Sequence, residues 1–165
     1  MPSFDLQREH ANMMARKKAV SRKYADTLIL FLDVDGVLLS TSSIERFRSA
    51  RVLDPDCVER LNRIVERTGA KVVISSTWRL QHMDELREAL QEAGFRHLDA
   101  IVDETAHLPS QSRDSEIWAW LATFGAKAYC VLDDTRLRNR HLVRTNHLVG
   151  LTDEDVEKVL RFFGK

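Results

Sequence analysis

Five consecutive apolar residues, Leu28-Ile29-Leu30-Phe31-Leu32, run directly into Asp33-Val34-Asp35-Gly36. An apolar run without alternation, closed by acids and a glycine, is the pattern of a strand buried on both faces. Such a strand needs helices above and below it, and the downstream sequence supplies them. Asp54-Pro55 reads as an N-cap followed by proline at the first helical position. The helix it opens carries Val58, Leu61, Ile64 and Val65 on one face and ends at Gly69. Lys71-Val72-Val73-Ile74 is a second strand, Met83 to Ala93 a helix ended by Gly94, and Leu98 to Val102 a short third strand. Ile117, Trp118, Leu121 and Phe124 mark the next helix, in which Trp118 and Trp120 read as packing residues. Ala128 to Leu132 is a fourth strand and His141 to Arg144 a fifth. Thr152 caps a last helix with Val156, Val159, Leu160 and Phe163. Alternation of this kind makes βαβ units. The expected fold class is α/β, a three-layer Rossmann-like arrangement with a mainly parallel sheet and helices on both faces.

The 165 residues suit one domain, whose single core can hold without disulfides. Cys57 and Cys130 fall inside a helical and a strand pattern and read as small core residues of a reduced protein. No apolar stretch approaches the roughly 18 residues of a membrane span. Charges stand where a signal peptide needs its apolar stretch, so a cytoplasmic location is expected.

Ligands of such folds bind beyond the carboxyl ends of the strands, and the polar residues gather there. Asp33 and Asp35 lie at i and i+2 where the first strand gives out, on one side of the chain. Carboxylates held that close need a cation between them or a retained proton. Gly36 permits the sharp turn that exposes backbone N–H groups to an anion. The second strand ends in the hydroxyls Ser75-Ser76-Thr77 and the fourth in Asp133-Asp134, while Arg113 opens the helix before the fourth strand. Hard oxygen ligands of this type suit Mg²⁺. A calcium loop does not fit, because Asp33 closes an apolar strand and no acid stands at loop position twelve. The histidines show no zinc spacing.

These residues, in this order, resemble the haloacid dehalogenase (HAD) superfamily of phosphohydrolases. Phe31 to Leu38 matches its first motif, Val72-Val73-Ile74-Ser75 its second, and Val131-Leu132-Asp133-Asp134 its fourth. The third motif is normally a lysine; here Arg113 takes that place, with Lys127 as the alternative. The resemblance covers residues 28 to about 163 and implies a HAD-like hydrolase domain over 27–165. It implies that Asp33 is the nucleophile, forming an aspartyl-phosphate, and that Asp35 is the general acid and base. It further implies Mg²⁺ held by Asp33, the Asp35 backbone carbonyl and Asp133 or Asp134. Ser75 and Arg113 would hold the non-bridging oxygens, with Ser76 the other candidate hydroxyl.

Family members differ in their cap domains, and no cap fits here. The 42 positions from Asp33 to Ser75 leave, after a helix and a strand, only Leu39 to Leu53, enough for a flap hairpin. The 38 from Ser75 to Arg113 are again consumed by a helix and a strand. An uncapped site favours a phosphate on something large, a nucleic-acid end or a phosphoprotein. Arg46, Arg48 and Arg51 in the flap, Arg79 after the second motif, and Arg136, Arg138 and Arg140 after the fourth suggest attraction to a polyanion. Of these, Arg79, Arg136 and Arg138 are the candidate substrate contacts. Trp78 reads as a packed or rim residue, with stacking on a base as the other option.

Lysines and arginines number 25 against 25 acids, so no whole-molecule field steers the chain. The balance hides a gradient: residues 1–26 form a basic arm in which Leu6, Met13, Val20 and Tyr24 make one helical stripe. The expectation is a helix docked on the domain through that stripe. Two other readings stay open: a catalytically silent HAD-like module that binds phosphate or nucleic acid, and a phosphotransferase. The intact pair Asp33 and Asp35 favours catalysis over silence.

Overall fold

The computed structural model describes residues 4–20, 23–80 and 83–165; the side chains of 4–6, 16–20, 79 and 80 lie outside that description. The chain runs α1 (Phe4–Val20), β1 (Leu28–Leu32), α2 (Thr41–Phe47), α3 (Pro55–Thr68), β2 (Lys71–Ile74), α4 (Met83–Glu92), β3 (Ile101–Glu104), α5 (Arg113–Phe124), β4 (Ala128–Asp133), β5 (Leu142–Arg144) and α6 (Asp153–Phe162). Short 3₁₀ turns occupy Thr77–Leu80 and Leu98–Ala100. The five strands form one parallel sheet in the order β3-β2-β1-β4-β5. The strand order reverses between β1 and β4, which is where an open α/β sheet forms its ligand crevice.

Period-two alternation divides the central strands between two cores. Leu30, Leu32, Val72 and Ile74 pack with α3, α4 and α6, whereas Ile29, Phe31, Val73 and Val131 pack with Ile117 and Trp120 of α5. Continued one step beyond the apolar residues, the same alternation assigns Asp33, Ser75 and Asp133 to the α5 side. On α5 itself, Arg113 precedes Ile117 by four and Trp120 by seven, so one stripe carries all three. Burying Ile117 and Trp120 therefore aims Arg113 at the sheet edge.

Three expectations are corrected. The segment after the first motif is a short helix, α2, and not a hairpin: Ser40 caps it, and Ser40 and Ser43 exchange side-chain and backbone hydrogen bonds in a capping box. The third strand starts at Ile101, because Leu98–Ala100 winds into a 3₁₀ turn. Trp118 is 55% exposed, touching the Tyr129 ring by its edge, while Trp120 is buried. The basic arm does form a helix, but residues 7–15 are all exposed, Met13 among them, so its stripe is uncovered along that stretch. Tyr24, at the foot of the arm, does pack, stacking on Trp120 with ring centroids 5.4 Å apart. Both cysteines are buried and free. No helix among the described residues is long and apolar enough to cross a membrane.

Candidate active site

The turn after β1 is unusually tight. The N–H groups of Val37, Leu38 and Leu39 converge on the Val34 carbonyl at 2.9–3.1 Å, and Gly36 N–H donates to Leu39 O at 2.7 Å. Val34, Val37 and Leu38 are fully buried, so the apolar letters of the motif anchor the loop from below. Gly36 has φ +78°, and a Cβ there would lie 2.3 Å from Asp134 Cγ. Only glycine lets the β1 and β4 ends approach so closely. From the far end of the chain the Thr145 hydroxyl donates to Gly36 O at 2.7 Å, fixing the same turn from above.

Asp33, Asp133 and Asp134 each offer a carboxylate oxygen, and the three lie within 4.8 Å of one another. Arg113 Nη1 stands between two of them, 3.0 Å from Asp33 Oδ2 and 2.5 Å from Asp133 Oδ2. The Val34 N–H and the Ser76 hydroxyl also donate to Asp33, and Thr135 N–H donates to Asp133 Oδ1 at 2.8 Å. Burial and the neighbouring Asp133 push the Asp33 carboxyl up to about 7, against the opposing pull of Arg113. Burial and Asp133 also raise Asp134. One guanidinium does not balance three partly desolvated carboxylates. The donor set, all hard oxygen, fits a small divalent cation such as Mg²⁺.

The hydroxyls divide. Ser76 is engaged with Asp33 and accepts the Trp78 N–H at 3.3 Å. The Ser75 hydroxyl is fully buried with no hydrogen-bond partner among the described residues. An orphaned buried hydroxyl is costly, on the order of 1–3 kcal/mol, and an anion oxygen would satisfy it. Lys127 is excluded as the alternative cation, a correction to the two-way expectation. It precedes β4 at the opposite edge of the sheet, its N–H bonded to Thr27 O at 2.9 Å, about 20 Å of strand from Asp133.

Asp35 is exposed, and its side chain is not part of the acid cluster; its Oδ1 accepts the Trp78 indole N–H at 3.2 Å. Neither this contact nor the Thr145 clamp is foreshadowed by any pattern in the sequence. Of the expected arginines, Arg136 and Arg138 line a groove of about 580 Å³ together with Ser112, Arg113 and Thr135. Arg51 lines a second groove, of about 510 Å³, with Asp35, Trp78 and three α4 glutamates. Arg46 pairs with Asp56 at 3.6 Å on the surface. The Arg79 side chain lies outside the described residues.

A five-stranded parallel sheet with Asp-x-Asp-Gly at the end of its central strand and an acid pair on the neighbouring strand defines a HAD-type domain, of the superfamily of phosphatases and related hydrolases. The chain belongs to the family described as the HAD domain in Swiss Army Knife RNA repair proteins, whose model matches residues 29–156. No curated protein and no solved structure matches it.

Proposed function

We propose that the protein is a Mg²⁺-dependent phosphomonoesterase acting through Asp33 on the terminal phosphate of an RNA strand. The observation that carries this reading is the convergence of Asp33, Asp133 and Asp134 around Arg113 beside an orphaned Ser75 hydroxyl. An Asp33 oxygen forms the bond to phosphorus while the bond to the leaving oxygen breaks. Asp35 gives its proton to that oxygen, then takes one from the water that hydrolyses the aspartyl-phosphate. Ser75 and Arg113 hold the non-bridging oxygens as charge redistributes. Mg²⁺, held by Asp33, Asp133 or Asp134 and the Asp35 carbonyl, would supply positive charge against the phosphate dianion. In this reading residues 27–165 are the catalytic domain and 1–26 a basic arm.

RNA is favoured over a phosphoprotein on two grounds: the repair proteins for which the family is described, and the arginine groove beside Arg113. The test is hydrolysis of 4-nitrophenyl phosphate with and without Mg²⁺. Turnover should require the metal and be lost in Asp33→Asn; turnover that survives the substitution overturns the reading. Oligoribonucleotides ending in a 3′- or 5′-phosphate should then outcompete phosphopeptides.

A further inference from the structure

Trp78 has no role in the chemistry above, yet its indole N–H is the one hydrogen bond that the Asp35 carboxylate receives among the described residues. The ring is half-buried against the α3–α4–α6 core, and its backbone N–H is tied to Ser76, whose hydroxyl reaches Asp33. The position of Asp35 is thereby referred to the same strand end that carries the hydroxyls. Asp35 and Trp78 also line one groove with Arg51 and Glu88, so both face space that a leaving group can fill.

We propose that Trp78 is a positioning residue for Asp35, an assignment that rests on the phosphatase reading. Indole is a donor only, and it does not titrate. Bound at Oδ1, it leaves Oδ2 to carry the proton. Oδ1 accepts equally as the carbonyl oxygen of the acid and as an oxygen of the carboxylate, so a single contact serves both half-reactions. In the first step Asp33 bonds to phosphorus, the electron pair of the breaking P–O bond stays on the leaving oxygen, and the Oδ2 proton moves there. In the second, water oxygen bonds to phosphorus, its proton passes to Oδ2, and the pair of the breaking bond returns to Asp33. Both steps need Oδ2 within hydrogen-bond reach of a reacting oxygen, and a misplacement of about 1 Å is costly.

The test compares wild type and Trp78→Phe on 4-nitrophenyl phosphate and phenyl phosphate. Nitrophenolate leaves readily without a proton, whereas phenolate needs one. Loss of positioning should therefore cut kcat/KM, which reports the step that expels the leaving group, by about thirtyfold on phenyl phosphate and about threefold on 4-nitrophenyl phosphate. Equal losses on the two esters assign Trp78 a packing role and overturn the proposal, as does no loss on either. Should Trp78→Phe fail to fold, Trp78→Leu is read by the same ratio. If wild type turns over neither ester, the phosphatase reading fails and this assignment with it. If wild type is active but the ratio does not move, only the assignment fails.

Discussion

Two grooves flank the acid cluster, one on each side of the sheet, and they carry opposite charge. On the α5 side Arg113, Arg136 and Arg138 line about 580 Å³ with Asp114 as the single acid. On the α4 side Glu85, Glu88 and Glu92 line about 510 Å³ with Arg51 as the single base among the described residues. A formal charge of zero thus conceals a polarity across the site itself. An RNA strand whose end sits at Asp33 has one electrostatically open direction, along α5, where guanidinium groups can meet its phosphodiesters. The glutamate side suits the uncharged, hydrogen-bond-donating parts of a nucleoside. Whole-molecule charge is therefore the wrong scale on which to judge affinity for a polyanion.

The largest expected effect lies at Arg113, where the basic groove reaches the acid cluster. Arg113→Ala should lower kcat about 10²- to 10³-fold on every phosphate ester, and the folded protein should melt earlier, because Asp33 and Asp133 lose their buried partner. Next comes charge reversal of the basic side. Arg136→Glu with Arg138→Glu should raise KM for a phosphorylated oligoribonucleotide at least about tenfold, and flatten its logarithmic salt dependence by about two. The effect on 4-nitrophenyl phosphate should be much smaller. If oligonucleotide KM does not respond, the electrostatic distinction between the grooves has no functional meaning. Neutralising the acidic side with Glu85→Gln, Glu88→Gln and Glu92→Gln should lower that KM by only about two- to threefold, since these residues are exposed and screened. A larger drop would mean that RNA runs along α4 instead.

A further test concerns stability. Asp33 has a raised folded-state pKa, so its contribution is fully present below the unfolded value near 3.8 and lost as pH rises through about 7. Without metal, the melting temperature of Asp33→Asn should therefore match wild type near pH 4 and exceed it progressively up to pH 8. Added Mg²⁺ should close that gap from the wild-type side at the upper end, because its ligand must be deprotonated. A gap independent of pH would mean that Asp33 is not the strained carboxyl of the cluster.

The strands were legible because a parallel sheet buries both faces, turning β1, β2 and β4 into unbroken apolar runs. The acid pairs were legible because they directly follow those runs. Arg113 was placed by the helix start and needed Ile117 and Trp120 to aim it. What escaped has a physical cause in each case. The α2 capping box uses serine where glutamate or glutamine is the usual signal, so the segment looked like an irregular flap. The Trp78–Asp35 and Thr145–Gly36 bonds join residues 43 and 109 positions apart, and no periodicity records such pairings. The apolar stripe of α1 has helical spacing but no cover over residues 7–15; spacing reports a face, not its partner.

The order of the sheet also governs how the protein comes to be folded. Strand β1 is synthesised first, yet its neighbour β4 pairs with it across a hundred residues, Leu28 against Ala128. Contacts of such long range close slowly, since the chain loses loop entropy before they reward it. Bringing β4 home is also the event that sets Asp133 and Asp134 beside Asp33, so the slowest search and the steepest like-charge repulsion coincide. Arg113 precedes Asp133 in the chain and rides on α5 between β3 and β4, which makes the guanidinium available before the second carboxylate docks. A nascent chain that has not yet produced β4 has no acid cluster, and the candidate site is assembled only with the last third of the polypeptide.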